Sequence, residues 1–217
     1  MPLDQKTILD AVKAAKEKSE KRKFTQSVEL ILNLKDIDMK SPEGRIQELV
    51  ELPHPPPEKP NKICVIASGE LALKARKANA DLVIERAELE SLGGKKRDLR
   101  NIAERYDFFV AEAPLMPLVG KIFGPVLGPR GKMPVPVPPT ADISSLLEKY
   151  SKTVIAKMRN QPILQCRVGT ESMKEEELAD NVQAVLRAVE GKLKKGIKNI
   201  KFAYIKTSMG KPVKIKP

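Results

Sequence analysis

Between Lys62 and Ala111 three short apolar runs, ICVIA (63–67), LVI (82–84) and FFVA (108–111), alternate with segments of helical composition, and few folds accept that order. Runs this short and this continuously apolar suit strands buried on both faces, as when helices cover a parallel sheet from either side. The helical pieces run from Ser68-Gly69 to Ala80 and through the basic stretch KKRDLRNIAERY. The middle of the chain is therefore expected to be a three-layer Rossmann-like α/β domain.

The flanks follow other periods. Asp4 stands where it can cap a helix whose Ile8, Ala11, Val12 and Ala15 share one face, and Phe24 to Leu34 then alternates with Val28, Leu30, Leu32 and Leu34 on one side. Ile46 to Leu52 reads as a partner strand. Past the middle, VIAKMR and ILQCRV are joined by Asn160-Gln161-Pro162, which suits a hairpin. Ser172 and Glu175 form a candidate capping box ahead of Leu178, Val182, Val185, Leu186 and Val189, and NIKFAYIKTSM reads as a last strand. Neither flank has enough elements to close a core by itself. The expectation is a discontinuous two-layer α+β domain I, residues 1–58 with 151–217, and an inserted domain II, residues 59–150. Five of the eighteen prolines fall between Pro53 and Pro60 and eight between Pro114 and Pro139. Proline continues neither a helix nor a central strand, so both stretches read as connections, and Pro-containing crossings between the domains as a hinge.

The formal charge is +12, and +9 of it lies in residues 151–217, a distribution that suits a polyanion. Aromatic residues make up only 4% with no Trp, which argues against broad base-stacking platforms. Cys64 and Cys166 are a hundred residues apart beside a single histidine, His54, so zinc lacks ligands and both thiols read as core residues. No apolar run reaches the roughly 18 residues of a membrane helix and MPLDQKTILD has no signal-peptide stretch, so a soluble, cytoplasmic protein is expected.

The segment GPVLGPRGKMP (124–134) invites a phosphate-loop reading and fails it: Val126 stands where the first glycine is needed and Met133 where a hydroxyl is needed. Ser68-Gly69-Glu70 lacks the glycines of a dinucleotide turn. An enzyme that recognises phosphate or nucleotide on the Rossmann-like region is thus the weaker reading, and neither a cofactor nor a metal is expected. Two other stretches suit RNA. TSMGKPVKIKP places hydroxyls, Met and Gly at a strand end, and Lys21-Arg22-Lys23 sets charge beside Phe24.

The stretches KFTQSVEL (23–30), VELPH (50–54), LGPRGKMP (127–134), LADN (178–181) and the terminal TSMG resemble, in order and over nearly the whole chain, the signature stretches of the ribosomal protein L-one family. DFFVAEAPLMPLVGKIFGPVLGPRGKMP is similar to the archaeal branch in particular. The resemblance implies a non-enzymatic constituent of the large ribosomal subunit that binds rRNA at the mobile lateral stalk. It further implies contact with deacylated tRNA leaving the exit site, repression of its own mRNA, and a monomer when free. Family RNA contacts carry over to Lys23, Phe24, Ser27 and Glu29, and to Thr207, Ser208, Met209 and Gly210. Ser208 stands where the family commonly has Thr, which keeps the hydroxyl and drops the methyl. HPPPEKPNK replaces a Gly-containing link and implies a stiffer hinge. The resemblance places LGPRGKMP in the inserted domain, away from the primary rRNA contact, either as a fixed loop that packs domain II or as a contact with tRNA or neighbouring RNA.

Overall fold

The computed structural model describes residues 4–38, 46–158 and 161–215. Helix α1 (Gln5–Glu17) is followed by strands β1 (Ser27–Leu34), β2 (Gln47–Glu51) and β3 (Ile63–Ile66). Next come α2 (Gly69–Lys77), β4 (Leu82–Ile84), α3 (Arg86–Ser91), α4 (Lys96–Arg105) and β5 (Phe108–Glu112). Then follow α5 (Met116–Arg130), β6 (Val135–Val137), α6 (Ile143–Ser151), β7 (Thr153–Met158) and β8 (Ile163–Thr170). The remaining elements are α7 (Glu175–Glu190), β9 (Ile200–Thr207) and β10 (Val213–Ile215). Contacts divide the chain into two units, residues 1–60 with 152–217, and residues 61–151.

The first unit is a six-stranded antiparallel sheet in the order β10-β9-β1-β8-β7-β2. Strand β1 lies between β9 and β8, so the amino-terminal piece finds both hydrogen-bonding neighbours in the carboxy-terminal piece. Its burial alternates without a break, with Val28, Leu30, Leu32 and Leu34 turned to the core. That core is closed on one side of the sheet by Ile8, Ala11, Val12 and Ala15 of α1 and by the apolar stripe of α7. The polar cap of α7 differs from the expected one. The helix begins after Lys174, and Glu177 accepts a hydrogen bond from the Lys174 N–H at 3.2 Å, while the Ser172 hydroxyl is paired with that of Thr170. Asp4 precedes α1 as expected, but its side chain makes no capping bond. Strands β7 and β8 pair in antiparallel register, Lys157 opposite Gln165; the turn at Asn160 lies outside the described residues.

The second unit has a parallel sheet in the order β4-β3-β5-β6. Every residue of β3 and β5 is buried, because α2 with α6 and α3 with α4 and α5 pack as two separate layers. The proline-rich stretch 114–139 is not a connection: it holds α5 and β6. Leu115, Val119, Phe123 and Leu127 recur every fourth residue and are all buried, which is enough apolar area to hold the helix in place. Pro117 falls in the first turn, where an N–H has no intrahelical acceptor, and Pro125 and Pro129 lie on the exposed side. The carbonyls they leave without donors, those of Lys121 and Pro125, belong to the solvent-side ladder, where water serves. Pro136 is accommodated because β6 is an edge strand. Only one crossing between the units contains proline, residues 53–60; the other is Lys152 alone, between α6 and β7.

Candidate nucleic-acid interface

The expected RNA residues meet at one end of the antiparallel sheet, where β1 begins and β9 ends. Ser27 and Ser208 are pinned to each other: the Ser208 N–H donates to the Ser27 carbonyl at 3.0 Å and the Ser27 N–H donates to the Ser208 hydroxyl at 3.1 Å. The turn after Thr207 closes through the Gly210 N–H on the Thr207 carbonyl at 3.1 Å. A Cβ at Gly210 would run into the Thr207 hydroxyl, so glycine is required there by contact rather than by backbone angle.

A residue outside the expected set organises this end. Gln26 is wholly buried; its amide nitrogen donates to the Ser19 hydroxyl at 2.8 Å and the Glu20 carbonyl at 2.9 Å, and its amide oxygen accepts the Met209 N–H at 3.0 Å. Its backbone is held by Glu171, whose carboxylate accepts the Gln26 N–H at 2.9 Å and whose own N–H donates to the Gln26 carbonyl at 2.9 Å. Thr207, expected among the contacts, is fully buried, and its hydroxyl donates to Ser19 at 2.9 Å. Its position therefore supports the turn rather than presenting a group to a ligand. Lys59, at the end of the proline link, donates to the Thr25 carbonyl at 2.5 Å and sits 6.0 Å from the centre of the Phe24 ring. Gln26 was within the KFTQSVEL stretch, but a glutamine three positions from a basic cluster gives no sign of burial.

What this network leaves in solvent is specific. Phe24 is 51% exposed and Met209 63%, with Lys23 exposed beside them. Half-exposed Ser27 and Glu29 lie on the side of the sheet away from α1 and α7. The register extends that side into rows. Lys214, Tyr204, Ile31, Gln165, Lys157 and Gln47 are successive partners across all six strands, and Lys206, Glu29 and Arg167 form the adjacent row. Phe202 lies 6.2 Å from Tyr204, ring centre to ring centre, and the Lys214 ammonium is 4.0 Å above the Phe202 ring. A small basic and aromatic surface thus adjoins the strand end, although so low an aromatic content spoke against one. The signal was the alternation in KFAYIK, which puts Phe202, Tyr204 and Lys206 on one side.

The remaining signature stretches hold the backbone. Asn181 of LADN is fully buried; its amide donates to the carbonyls of His54 at 2.6 Å and Val168 at 2.8 Å and accepts the His54 N–H at 2.9 Å. LGPRGKMP is the last turn of α5 and its cap, not a phosphate loop. Gly131 is left-handed, with φ 66°, its N–H donates to Gly128 at 2.9 Å and the Lys132 N–H to Leu127 at 3.1 Å, a Schellman closure. The Lys132 ammonium is bound to the carbonyls of Tyr106 at 2.7 Å and Ala103 at 3.1 Å, and burial holds its pKa below the usual lysine range against the opposing charge of Asp107. The amides and the ammonium that a phosphate would need are committed. Among the described residues no group of three or more His, Cys, Asp or Glu side chains is placed to hold a metal ion, and no helix is long and apolar enough to cross a membrane.

The "Large ribosomal subunit protein uL1" of Methanothermobacter thermautotrophicus is 50% identical over 211 residues, 97% of this chain and 99% of its own length. That of Pyrococcus abyssi is 50% identical over 217 residues, 100% of this chain and 98% of its own. That of Methanocaldococcus jannaschii is 49% identical over 214 residues, 99% and 97%. Residues 15–211 match the pattern described as the Ribosomal protein L1p/L10e family, and at this identity over this length the chain belongs to that family.

Proposed function

We propose that the chain is a non-enzymatic constituent of the large ribosomal subunit in the cytoplasm and binds rRNA of the lateral stalk through its antiparallel unit. The observation that carries this reading is the strand end itself. A buried network with Gln26 at its centre holds the turn 207–210 against the start of β1 and leaves Phe24 and Met209 exposed beside Lys23. Exposed apolar side chains fixed by buried polar groups are costly to build unless they meet a partner. The chemistry fits a folded RNA: a flat ring and a thioether can lie on ribose or base, and Lys23, Lys206 and Lys214 meet phosphates. Contact with exit-site tRNA, repression of the protein's own mRNA, and a monomeric free state belong to the same proposal and rest on family membership.

The test is filter binding of the full chain to a stalk rRNA fragment and to a duplex of unrelated sequence at one salt concentration. Phe24→Ala and Met209→Ala change no charge. Each is expected to weaken the stalk RNA by roughly tenfold, within the range of about 1 to 3 kcal/mol for lost stacking contacts, and to leave the unrelated duplex unaffected. If both folded variants keep wild-type affinity for the stalk fragment, the strand end is not the RNA site.

A further inference from the structure

The second unit carries a groove that the RNA reading does not use. It has a volume of about 790 Å³ and runs between α4 and α5. Its floor is apolar: Leu99 from α4, and Ile122, Pro125, Val126 and Pro129 from α5. Leu99, Ile122 and Val126 are continuous with the core of that unit, so the floor is rigid. The rim is of one sign, with Lys96 and Arg100 on the α4 wall and Lys121 and Arg130 on the α5 wall. Arg130 is paired with Glu104 at 2.6 Å. Among the described residues Lys96, Arg100 and Lys121 have no ion-pair or hydrogen-bond partner for their side chains.

We infer that this groove docks an acidic amphipathic helix of a protein partner, with aliphatic side chains on the floor and carboxylates toward the two cationic walls. Three features select that chemistry. The floor has aliphatic and proline side chains and no aromatic ring, so it offers a base nothing to stack on, whereas it matches a leucine or isoleucine stripe. Unpaired cations on both walls match an apolar stripe flanked by acidic residues on either side, the pattern of an amphipathic helix. The α5 wall from Lys121 to Arg130 is about 14 Å long at 1.5 Å per residue, room for between two and three turns of a docked helix. Wall charges of one sign also set specificity, because a basic helix with the same stripe is repelled.

The probe is a fluorescein-labelled peptide of about fourteen residues, with Leu or Ile at i, i+4, i+7 and i+11 and Glu at the flanking positions. It is titrated into the isotopically labelled full chain. Amide shifts are expected at 93–100 and 121–130, and a scrambled peptide of the same composition should bind roughly tenfold more weakly because it has charge but no stripe. Pro125→Glu is the decisive variant. It restores a helical N–H at an exposed position, so folding is not threatened, and it puts a carboxylate among the floor residues; binding should fall roughly tenfold or more. Lys121→Glu should act in the same direction, and Lys77→Glu on α2 should leave affinity within about twofold. Equal binding of the scrambled peptide, or full binding by Pro125→Glu, would overturn the inference. So would a ten-nucleotide single-stranded RNA that shifts the same amides and displaces the peptide, since the groove would then serve nucleic acid. Binding of the stalk fragment, assayed in parallel on the same variants, reports on the strand end and is expected to be unchanged, so the two readings fail separately.

Discussion

Replacing Gln26 by alanine removes a side chain that is invisible from outside yet holds three pieces of chain at the proposed RNA end. The amide links Ser19 and Glu20, just after α1, to Met209 in the turn after β9. The losses are unequal. The Ser19 hydroxyl keeps the bond from Thr207 at 2.9 Å, and the Glu20 carbonyl belongs to an exposed residue where water can replace the donor. The Met209 N–H belongs to a turn at the surface, and it too can be rehydrated once the turn loosens. With net values of about 0.5 to 1.5 kcal/mol per hydrogen bond, and partial rehydration of two partners, the expected destabilisation is about 2 kcal/mol. A void is added where the side chain was, which pushes the figure up rather than down. The larger effect is on recognition, because a loosened turn no longer presents Met209 next to Phe24. Urea unfolding should show a lower midpoint at unchanged slope, and affinity for the stalk fragment should fall about tenfold while binding to the unrelated duplex is retained. Gln26→Glu isolates the donor half, since a carboxylate can still accept from Met209 but cannot donate to Glu20. A folded Gln26→Ala protein with wild-type midpoint and wild-type specific affinity would refute the claim that this network sets the site.

Gly210→Ala should destabilise through the added Cβ against the Thr207 hydroxyl, and Thr207→Ala should relieve it, so the double-mutant cycle in urea should give a favourable coupling energy; additive effects would mean the clash is absorbed elsewhere. On the open side of the sheet, Lys214→Ala should reduce the slope of log affinity against log salt by about 0.7 to 0.9, and Tyr204→Ala should weaken binding without changing the slope. Equal slopes for wild type and Lys214→Ala would take phosphate contact away from that row. Burial, helped by the Glu29 charge, pushes the Cys166 thiol up to about 12, so a thiol reagent at pH 8 should react only through unfolding, and raising the pH to 9 should multiply the rate only by the factor seen for the unfolded chain. A steeper rise would show native-state reaction. The Gln26→Ala protein should label faster at Cys166 by the factor in its unfolding equilibrium.

Periodicity revealed those elements in which one physical requirement dominates. In β1 and α7 the core face is the dominant demand on the sequence, and alternation or a stripe of Leu178, Val182, Val185 and Val189 reads straight through to burial. Helix α5 was missed because two signals conflict along it. Prolines every four or eight residues speak against a helix, while apolar residues every four speak for one, and the side to which each set turns decides the matter. A helix tolerates Pro125 and Pro129 when the carbonyls they abandon are hydrated, and that depends on neighbours the sequence does not name. Strand β10 was missed for the opposite reason: three residues, VKI, are too few to show a period, and they are a strand only because β9 has a free edge for them.

At the strand end the same uncertainty concerns roles rather than elements. Thr207 and Ser208 are adjacent hydroxyls, and nothing local distinguishes them, yet one is buried against Ser19 and the other spans β1 and β9 and stays partly open to solvent. Strand alternation settles it, since Thr207 follows Ala203 and Ile205 onto the core side and the strand ends there. The Ser208 hydroxyl accepts from the Ser27 N–H at 3.1 Å and donates to the Ser27 carbonyl at 3.4 Å, which leaves one lone pair to which a ribose hydroxyl can donate without displacing either bond. Ser208→Ala therefore removes an internal strand pin as well as a group open to RNA, and its effect on affinity alone cannot separate the two. Met209 can, because its side chain makes no hydrogen bond, its exposure is the highest among the large apolar side chains of the described residues, and its backbone is fixed by Gln26 whatever the side chain. The exposed thioether, rather than the hydroxyls around it, is where recognition and stability come apart at this end of the sheet.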